Sequence, residues 1–502
     1  MLYYSWHTNL VIRQEEQKLE NEMELQQIIY KTLAVQIEFG VYRFEEQLPT
    51  IEEASQLFLV STDTVRSAYL RLKHDGYITL SRSVGALVKV CYDTEDTDRH
   101  IQNFYAIRKD ALIELSRSMR PLLSYAQWVG FKKASPETLD QMEALALRTD
   151  ILPPYRMIRH LQLIYGSLQN ELLMRMVWQI FMFFQAPLFS IRFTARRYEG
   201  DNSLLYMIRL CRQKDWAALR SSIETFQEQL SRALCSFYDS KITVQAPEQQ
   251  IPFQWTSYKK ATQRCYSLGM ELLKAINREI YPAGTFLPSL ERLAKERQVS
   301  VSTIRRTLTL LNSIGVTKSF NGLGTQILPQ EEIAENCDFT NPVLQRRLLD
   351  YAQSMQIIAL SCREVSRITA AAFTPADRAL VMERLKLLQR LGRQELASYG
   401  ILELFTHMAP YQAIRNIYTE LYQQLLWGYP LRSIITDQAR RTACIAYLDT
   451  FMECLEQSDV EGLSAHLEEF IFSELRFASA ELEKLGIGNV SPLALRDFNL
   501  SF

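Results

Sequence analysis

The sequence predicts a mainly α protein: two winged helix-turn-helix domains, each of three helices plus a β-hairpin wing, and each followed by an all-helical bundle domain. Three observations predict it. Long Leu-, Gln- and Arg-rich stretches carry apolar residues at helical spacing, with only 17 Gly and 16 Pro in 502 residues. Two segments each run as helix, short helix, tight link, helix and then two short β-prone runs. The second of these segments repeats the first at a constant offset of 239 positions.

The repeat needs no gap across the module. Leu48-Pro49 aligns with Leu287-Pro288, Val60-Ser61 with Val299-Ser300, Thr64 with Thr303, and Arg66 with Arg305. Leu72, Gly76 and Gly85 align with Leu311, Gly315 and Gly324. The same offset brings Ser135-Pro136 onto Thr374-Pro375, each the N-cap and first-turn pair of a helix. Further on, Trp216–Leu219 resembles Val460–Leu463 at a slightly larger offset. The duplicated unit is therefore a module together with its helical partner. The expected divisions are an N-terminal extension (1–21), winged helix 1 (22–95), helical domain 1 (96–250), winged helix 2 (251–332) and helical domain 2 (333–502). A chain of this length exceeds one hydrophobic core, so several domains are required.

In the first module, Leu25, Ile28, Ile29, Leu33 and Ile37 give Glu22–Phe39 a helical period, and Gly40 stops it. Leu48-Pro49-Thr50 sets a turn and an N-cap for a short helix over Ile51–Leu59. Ser61 caps a third helix that ends near Asp75, with Val65, Tyr69 and Leu72 inside and Thr62, Asp63, Arg66 and Lys73 outside. Tyr77–Leu80 and Ala86–Val90 read as strands joined by Ser83-Val84-Gly85. The second module repeats the plan: a leading helix over Tyr258–Ile280, a short helix opening at Leu287-Pro288-Ser289, and a third helix after Val299-Ser300 with Ile304, Leu308 and Leu311 inside. Asn321-Gly322-Leu323-Gly324 makes its hairpin turn.

This order suits DNA. A short helix braces a second one whose exposed N-terminal side chains enter the major groove, while the wing meets the sugar–phosphate backbone. The candidate contacts are Thr50, Ser61, Thr62, Asp63, Thr64, Arg66 and Arg82 in the first copy. In the second they are Ser289, Ser300, Ser302, Thr303, Arg305, Arg306, Lys318, Asn321 and Gly322. With 56 basic and 57 acidic side chains, the DNA surface has to be a local patch on a neutral protein. The expected partners are double-stranded DNA and a small-molecule effector, with no membrane. The eight cysteines form no CxxC pair and no secretory signal opens the chain, which predicts reduced thiols and a cytoplasmic protein. The apolar run Met176–Ile191 is too short and too interrupted for a span and reads as a buried helix.

At these residues the chain resembles the GntR family of bacterial regulators. Leu48-Pro49-Thr50, Val60-Ser61, Thr64-Val65-Arg66, Leu72, Gly76 and Gly85 match the family pattern. So do Leu287-Pro288-Ser289, Leu293-Ala294, Val299-Ser300, Thr303-Ile304-Arg305, Leu311, Gly315, Gly322 and Gly324. The family Arg after Val-Ser is replaced by Thr62 and Val301, and the Arg of the short helix by Glu52 and Glu291. Asp63 is repelled by phosphates unless it accepts from a cytosine amine. The second copy is the more basic, with Arg305 and Arg306 adjacent plus Arg292 and Lys318, and is the expected stronger contact. The resemblance implies dimers that present two recognition helices to half-sites about 34 Å apart. One chain carrying both modules is then either a monomeric pseudo-dimer or a homodimer with four modules.

The helical regions resemble the all-helical ligand-binding domain of one branch of the family, which often holds a metal through one Asp or Asn and three His. Glu403, His407 and Asn416 supply a fragment of that pattern, while His466 falls one turn away and the first copy offers only His160. A metal needs several converging ligands, so no metal or other cofactor is expected, and His407 and His160 read as satisfied core or surface residues. Arg175, Arg192, Arg196 and Arg197 are candidates for holding an acidic effector, against the plainer reading of a solvated face. No nucleophile–base pair, phosphate loop or metal cluster points to an enzyme. The competing reading is a protein scaffold whose winged helices no longer bind DNA.

Overall fold

The computed structural model describes residues 26–58, 60–81, 84–149, 151, 153–190, 200–255, 260–433, 438–488 and 490–495. The fold is mainly α, with two small antiparallel hairpins. Helix α1 (26–38) buries Ile29, Leu33 and Ile37, and Gly40 ends it at φ +67°, a left-handed value that favours glycine. α2 (Ile51–Phe58) and α3 (Thr62–His74) lead into β1 (Ile78–Ser81) and β2 (Gly85–Val88), with Ile78 opposite Val88. Ala54, Phe58, Val65, Tyr69, Leu72, Ile78 and Val88 close this small core.

Seven helices follow: α4 (Thr94–Ala106), α5 (Lys109–Lys133), α6 (Pro136–Ala146), α7 (Pro153–Gly166), α8 (Glu171–Ser190), α9 (Gly200–Gln213) and α10 (Trp216–Lys241). The second winged helix comprises α11 (Lys260–Asn277), α12 (Leu290–Glu296), α13 (Val301–Ser313), β3 (Thr317–Phe320) and β4 (Gly324–Ile327). Its helical partner runs through α14 (Pro342–Ala371), α15 (Pro375–Arg390), α16 (Ala397–Met408), α17 (Gln412–Gln424), α18 (Tyr429–Ser433), α19 (Gln438–Gln457) and α20 (Val460–Lys484). The aligned Ser135 and Thr374 cap α6 and α15 as their sequences imply, each accepting from a backbone N–H three residues on. The residues 1–25, which include the expected extension and the start of the leading helix, lie outside the described part.

The two helical regions pack reciprocally. α5 lies against its own counterpart α14; α17 lies on α5, and α8, the counterpart of α17, lies on α14. This is the pattern a two-fold relation produces between equal partners. It extends to single hydrogen bonds. The Leu172 N–H, at the start of α8, donates to Gln353 Oε1 at 3.1 Å. The Gln412 N–H, at the start of α17, donates to Glu114 Oε2 at 3.2 Å. Gln353 stands 239 positions after Glu114, so equivalent side chains cap equivalent helices across the junction. Asn170 reinforces one side: its Nδ2 donates to Gln353 O and Gln356 Oε1, both at 2.9 Å, and its Oδ1 accepts from the Leu173 N–H at 2.8 Å.

The modules attach differently. The core of winged helix 2 is continuous with the main core of both helical regions, through Leu272, Leu273, Leu293 and Ile304. Winged helix 1 keeps a core of its own apart from Phe39, which packs on Phe104 and Tyr105 in the main core; Tyr155 of α7 enters the module's own core, its hydroxyl donating to Gln36 Oε1 at 2.7 Å. The segment between the units is strapped down: the Ile251 N–H donates to Ile107 O at 2.7 Å and the Trp255 N–H to Asn416 Oδ1 at 2.6 Å.

The apolar run beginning at Met176 is a helix that buries Met176, Val177, Ile180, Phe181 and Phe184. Among the described residues no helix is long and apolar enough to cross a membrane. One expectation is corrected. His160 is buried, but among the described residues neither ring nitrogen has a hydrogen-bond partner, so it does not read as a satisfied core residue. Burial, then the nearby Arg156, pushes its pKa down to about 4, and the ring is neutral.

Two outcomes follow from the packing. Asn170→Ala strands the Gln353 and Gln356 acceptors and lowers stability by about 2–4 kcal/mol, measurable as a fall in thermal midpoint. His160 has a folded pKa below its unfolded value, so protons bind the unfolded chain preferentially between pH 6.5 and about 4, and stability drains away as pH falls through that window. His160→Leu removes this loss, on the order of 3 kcal/mol by pH 4, and flattens the acid side of a melting-temperature profile.

Candidate nucleic-acid interface

Each recognition helix is set by its cap. Ser61 and Ser300 have extended backbones, and their hydroxyls accept from the N–H groups of Thr64 and Thr303, both at 3.1 Å. The inner stripes Val65, Tyr69, Leu72 and Ile304, Leu308, Leu311 are buried as expected. The Tyr69 hydroxyl donates to Pro49 O at 2.6 Å, tying α3 to the turn before α2. The outer faces stay open to solvent: Thr62, Asp63, Arg66 and Lys73 on α3, and Ser302, Arg305, Arg306 and Thr309 on α13.

The structure divides the proposed contacts. Thr64 is only 4% exposed and its hydroxyl lies 2.7 Å from Ser61 Oγ, so it completes the cap and is withdrawn from any groove. Thr303 is half-buried, with its hydroxyl 2.9 Å from Ser300 Oγ. Thr50 forms a capping box with Glu53: the Glu53 N–H donates to Thr50 Oγ1 at 3.2 Å and the Thr50 N–H to Glu53 Oε2 at 2.8 Å. Ser289 caps α12 by accepting from the Arg292 N–H at 3.3 Å. Arg82 lies outside the described residues.

The charges differ between the copies. Asp63 and Arg66, 81% and 55% exposed, face each other at 2.9 Å, so the first recognition helix presents a neutralised pair. α13 contains no acidic residue, and neither Arg305 nor Arg306 has an ion pair among the described residues. Arg292 is less free, held by Glu296 at 2.8 Å, and Lys318 Nζ lies 3.5 Å from Asn336 Oδ1. Wing 2 pairs Thr317 with Ile327 and Phe320 with Gly324, leaving Asn321 and Gly322 exposed at its tip. Gly322 at φ +76° and Gly324 at φ +114° occupy backbone that only glycine adopts without strain. The sequence reading missed an apolar element here. Leu323 is 74% exposed, and Phe286 meets Phe320 edge-on at the base of the same wing.

The metal fragment does not assemble. Glu403 is claimed by Lys274 at 2.8 Å and Arg384 at 3.0 Å, linking α11 of winged helix 2 to α15 and α16. Burial opposes its charge, but the paired cations win and hold its carboxyl below the ordinary range. His407 is exposed, and Asn416 spends its carbonyl on the Trp255 N–H. No group of three metal-type donors occurs among the described residues. Of the arginines proposed for an acidic effector, Arg175 is half-buried on α8, while Arg192, Arg196 and Arg197 lie outside the described residues.

Two separate stretches, residues 25–88 and 267–327, match the family model "Bacterial regulatory proteins, gntR family". Both winged-helix units of this chain therefore carry a GntR-type domain. The two matched domains support a DNA-binding transcription regulator. No curated protein matches the sequence. Among solved structures it is similar to a Streptococcus agalactiae GntR protein, at 17% identity over 42% of this chain and 99% of that one, with TM-score 0.20. It is also similar to E. coli McbR/YncC, at 17% identity over 43% and 98% of the two chains, with TM-score 0.23.

The ion pairs at Glu403 set one expected outcome. Glu403→Ala leaves two cations unanswered beside α11 and costs about 2–3 kcal/mol, read as a lower thermal midpoint. A metal ligand instead of an ion-pair partner would show as metal-dependent melting in wild type that the variant lacks.

Proposed function

We propose that a single chain acts as a covalent pseudo-dimer on an asymmetric operator. Winged helix 2 supplies the main grip through Ser300, Ser302, Arg305, Arg306, Lys318, Asn321 and Gly322. Winged helix 1 contributes a weaker contact through Thr62, Asp63 and Arg66. One observation carries this reading: Arg305 and Arg306 stand exposed and unpaired on an acid-free helix, whereas Arg66 is already neutralised by Asp63. Long-range attraction to phosphates follows net local charge, so the unpaired arginines dominate.

Joining the modules makes the second binding event intramolecular and raises its effective concentration. An effector acts by favouring one placement of the modules over another, and the helical regions carry that choice. The scaffold alternative gains support for winged helix 1 only, where Glu52, Glu53 and Asp63 crowd the groove-facing side.

The test is affinity for a mapped operator as a function of salt. Replacing Arg305 and Arg306 together by Ala removes two phosphate or base-edge contacts, and the slope of log affinity against log salt falls by roughly 1.8. Replacing Asp63 and Arg66 together by Ala leaves the local net charge unchanged and shifts affinity less than about threefold. Unchanged slope in the double variant refutes the assignment of winged helix 2.

A further inference from the structure

A polar cavity of about 510 Å³ lies between winged helix 2 and its helical partner. One wall is α11 with the turn that joins α12 to α13; the other is α17 with the end of α16. The volume is within the range of small-molecule sites, about 300–1,000 Å³, but the lining is unusually charged for one. Arg264, Arg297 and Arg415 contribute three guanidinium groups, against the carboxylates of Glu271 and Glu420.

The charges do not cancel. Arg297 is answered by Glu271 at 3.3 Å. Arg415 is fixed only by neutral acceptors, Gln412 Oε1 at 2.7 Å and Ala409 O at 2.5 Å, so it is oriented without being neutralised. Arg264 has no ion pair among the described residues. Glu420 is 1% exposed and Gln423 is buried beside it, its Nε2 donating to Ser267 Oγ at 2.9 Å. The cavity thus sets one oriented guanidinium, Arg415, and one exposed guanidinium, Arg264, beside the buried Gln423 of α17.

We propose that this cavity binds a small carboxylate carrying a hydroxyl or amino donor. Guanidinium forks match a carboxylate in two parallel hydrogen bonds, and Arg415 is held in place for that before any ligand arrives. The Oε1 of Gln423 takes the donor at the other end of the molecule. Occupancy reaches the DNA-reading element directly, because Arg297 ends α12 and Val299 immediately precedes Ser300, the cap of α13. The site stands on this geometry alone and does not depend on which module grips DNA.

The test is calorimetric titration of the full chain, without DNA, with L-malate and L-glutamate as probes and inorganic phosphate as comparator. Saturable binding of at least one carboxylate at one site per chain is expected. Arg264→Gln and Arg415→Gln each weaken it about tenfold, the usual loss for a charged hydrogen bond. Arg264 is exposed and makes no hydrogen bond or ion pair among the described residues, so its variant decides the matter even where Arg415→Gln fails to fold. Absence of saturable binding for both carboxylates, binding of phosphate alone, or unchanged affinity in Arg264→Gln overturns the proposal.

Discussion

The reciprocal packing of α5 on α14 is the constraint from which the rest of the architecture follows. The two helical regions meet through equivalent faces, with Glu114 and Gln353 each capping a helix of the opposite half. The start of α8 is buried, so its donor has to be satisfied and the Gln353 cap costs stability if lost, while the Glu114 cap at the exposed start of α17 repeats the same register. The 30-residue α14 packs on α5, α8, α17 and α20, and so carries the junction and its own bundle at once. Within one chain, this junction supplies what a subunit interface supplies in a symmetric dimer.

Duplication inside a single chain also frees the halves to differ, and they do. Winged helix 2 merges its core with the main body and is held by Lys274, Glu403 and Arg384. Winged helix 1 retains a core largely its own, entered by Tyr155, which packs edge to face on Phe58. Charge follows the same division: the welded module presents free arginines and the separate one an internal ion pair. A module whose core is continuous with its helical partner transmits small shifts more directly than one with a core largely its own, which gives the charged cavity beside α12 and α13 its mechanical interest.

Much of this was legible in the sequence because it is written in local physics. The helical periods, the caps at Ser61, Ser135, Ser300 and Thr374, and the glycine turns at Gly322 and Gly324 each depend on a few neighbouring residues. The repeat itself required only counting. What escaped depends on contacts far apart in sequence. Glu403 resembles a metal ligand until Lys274 arrives from another domain, 129 residues away, and Asn416 until Trp255 takes its carbonyl. Thr64 belongs to the motif, yet its burial follows from how α3 seats on the core. His160 looked ordinary because a missing partner leaves no mark in a sequence. The cavity is likewise invisible in one dimension, its arginines coming from α11, the end of α12 and α17.

The central claim is that one chain brings both winged helices to DNA as a unit. Sedimentation equilibrium of the protein with a duplex spanning one complete operator measures this directly. The account predicts a complex of one chain per duplex that persists as protein is added in excess. Two chains on each duplex, assembling cooperatively, would contradict it.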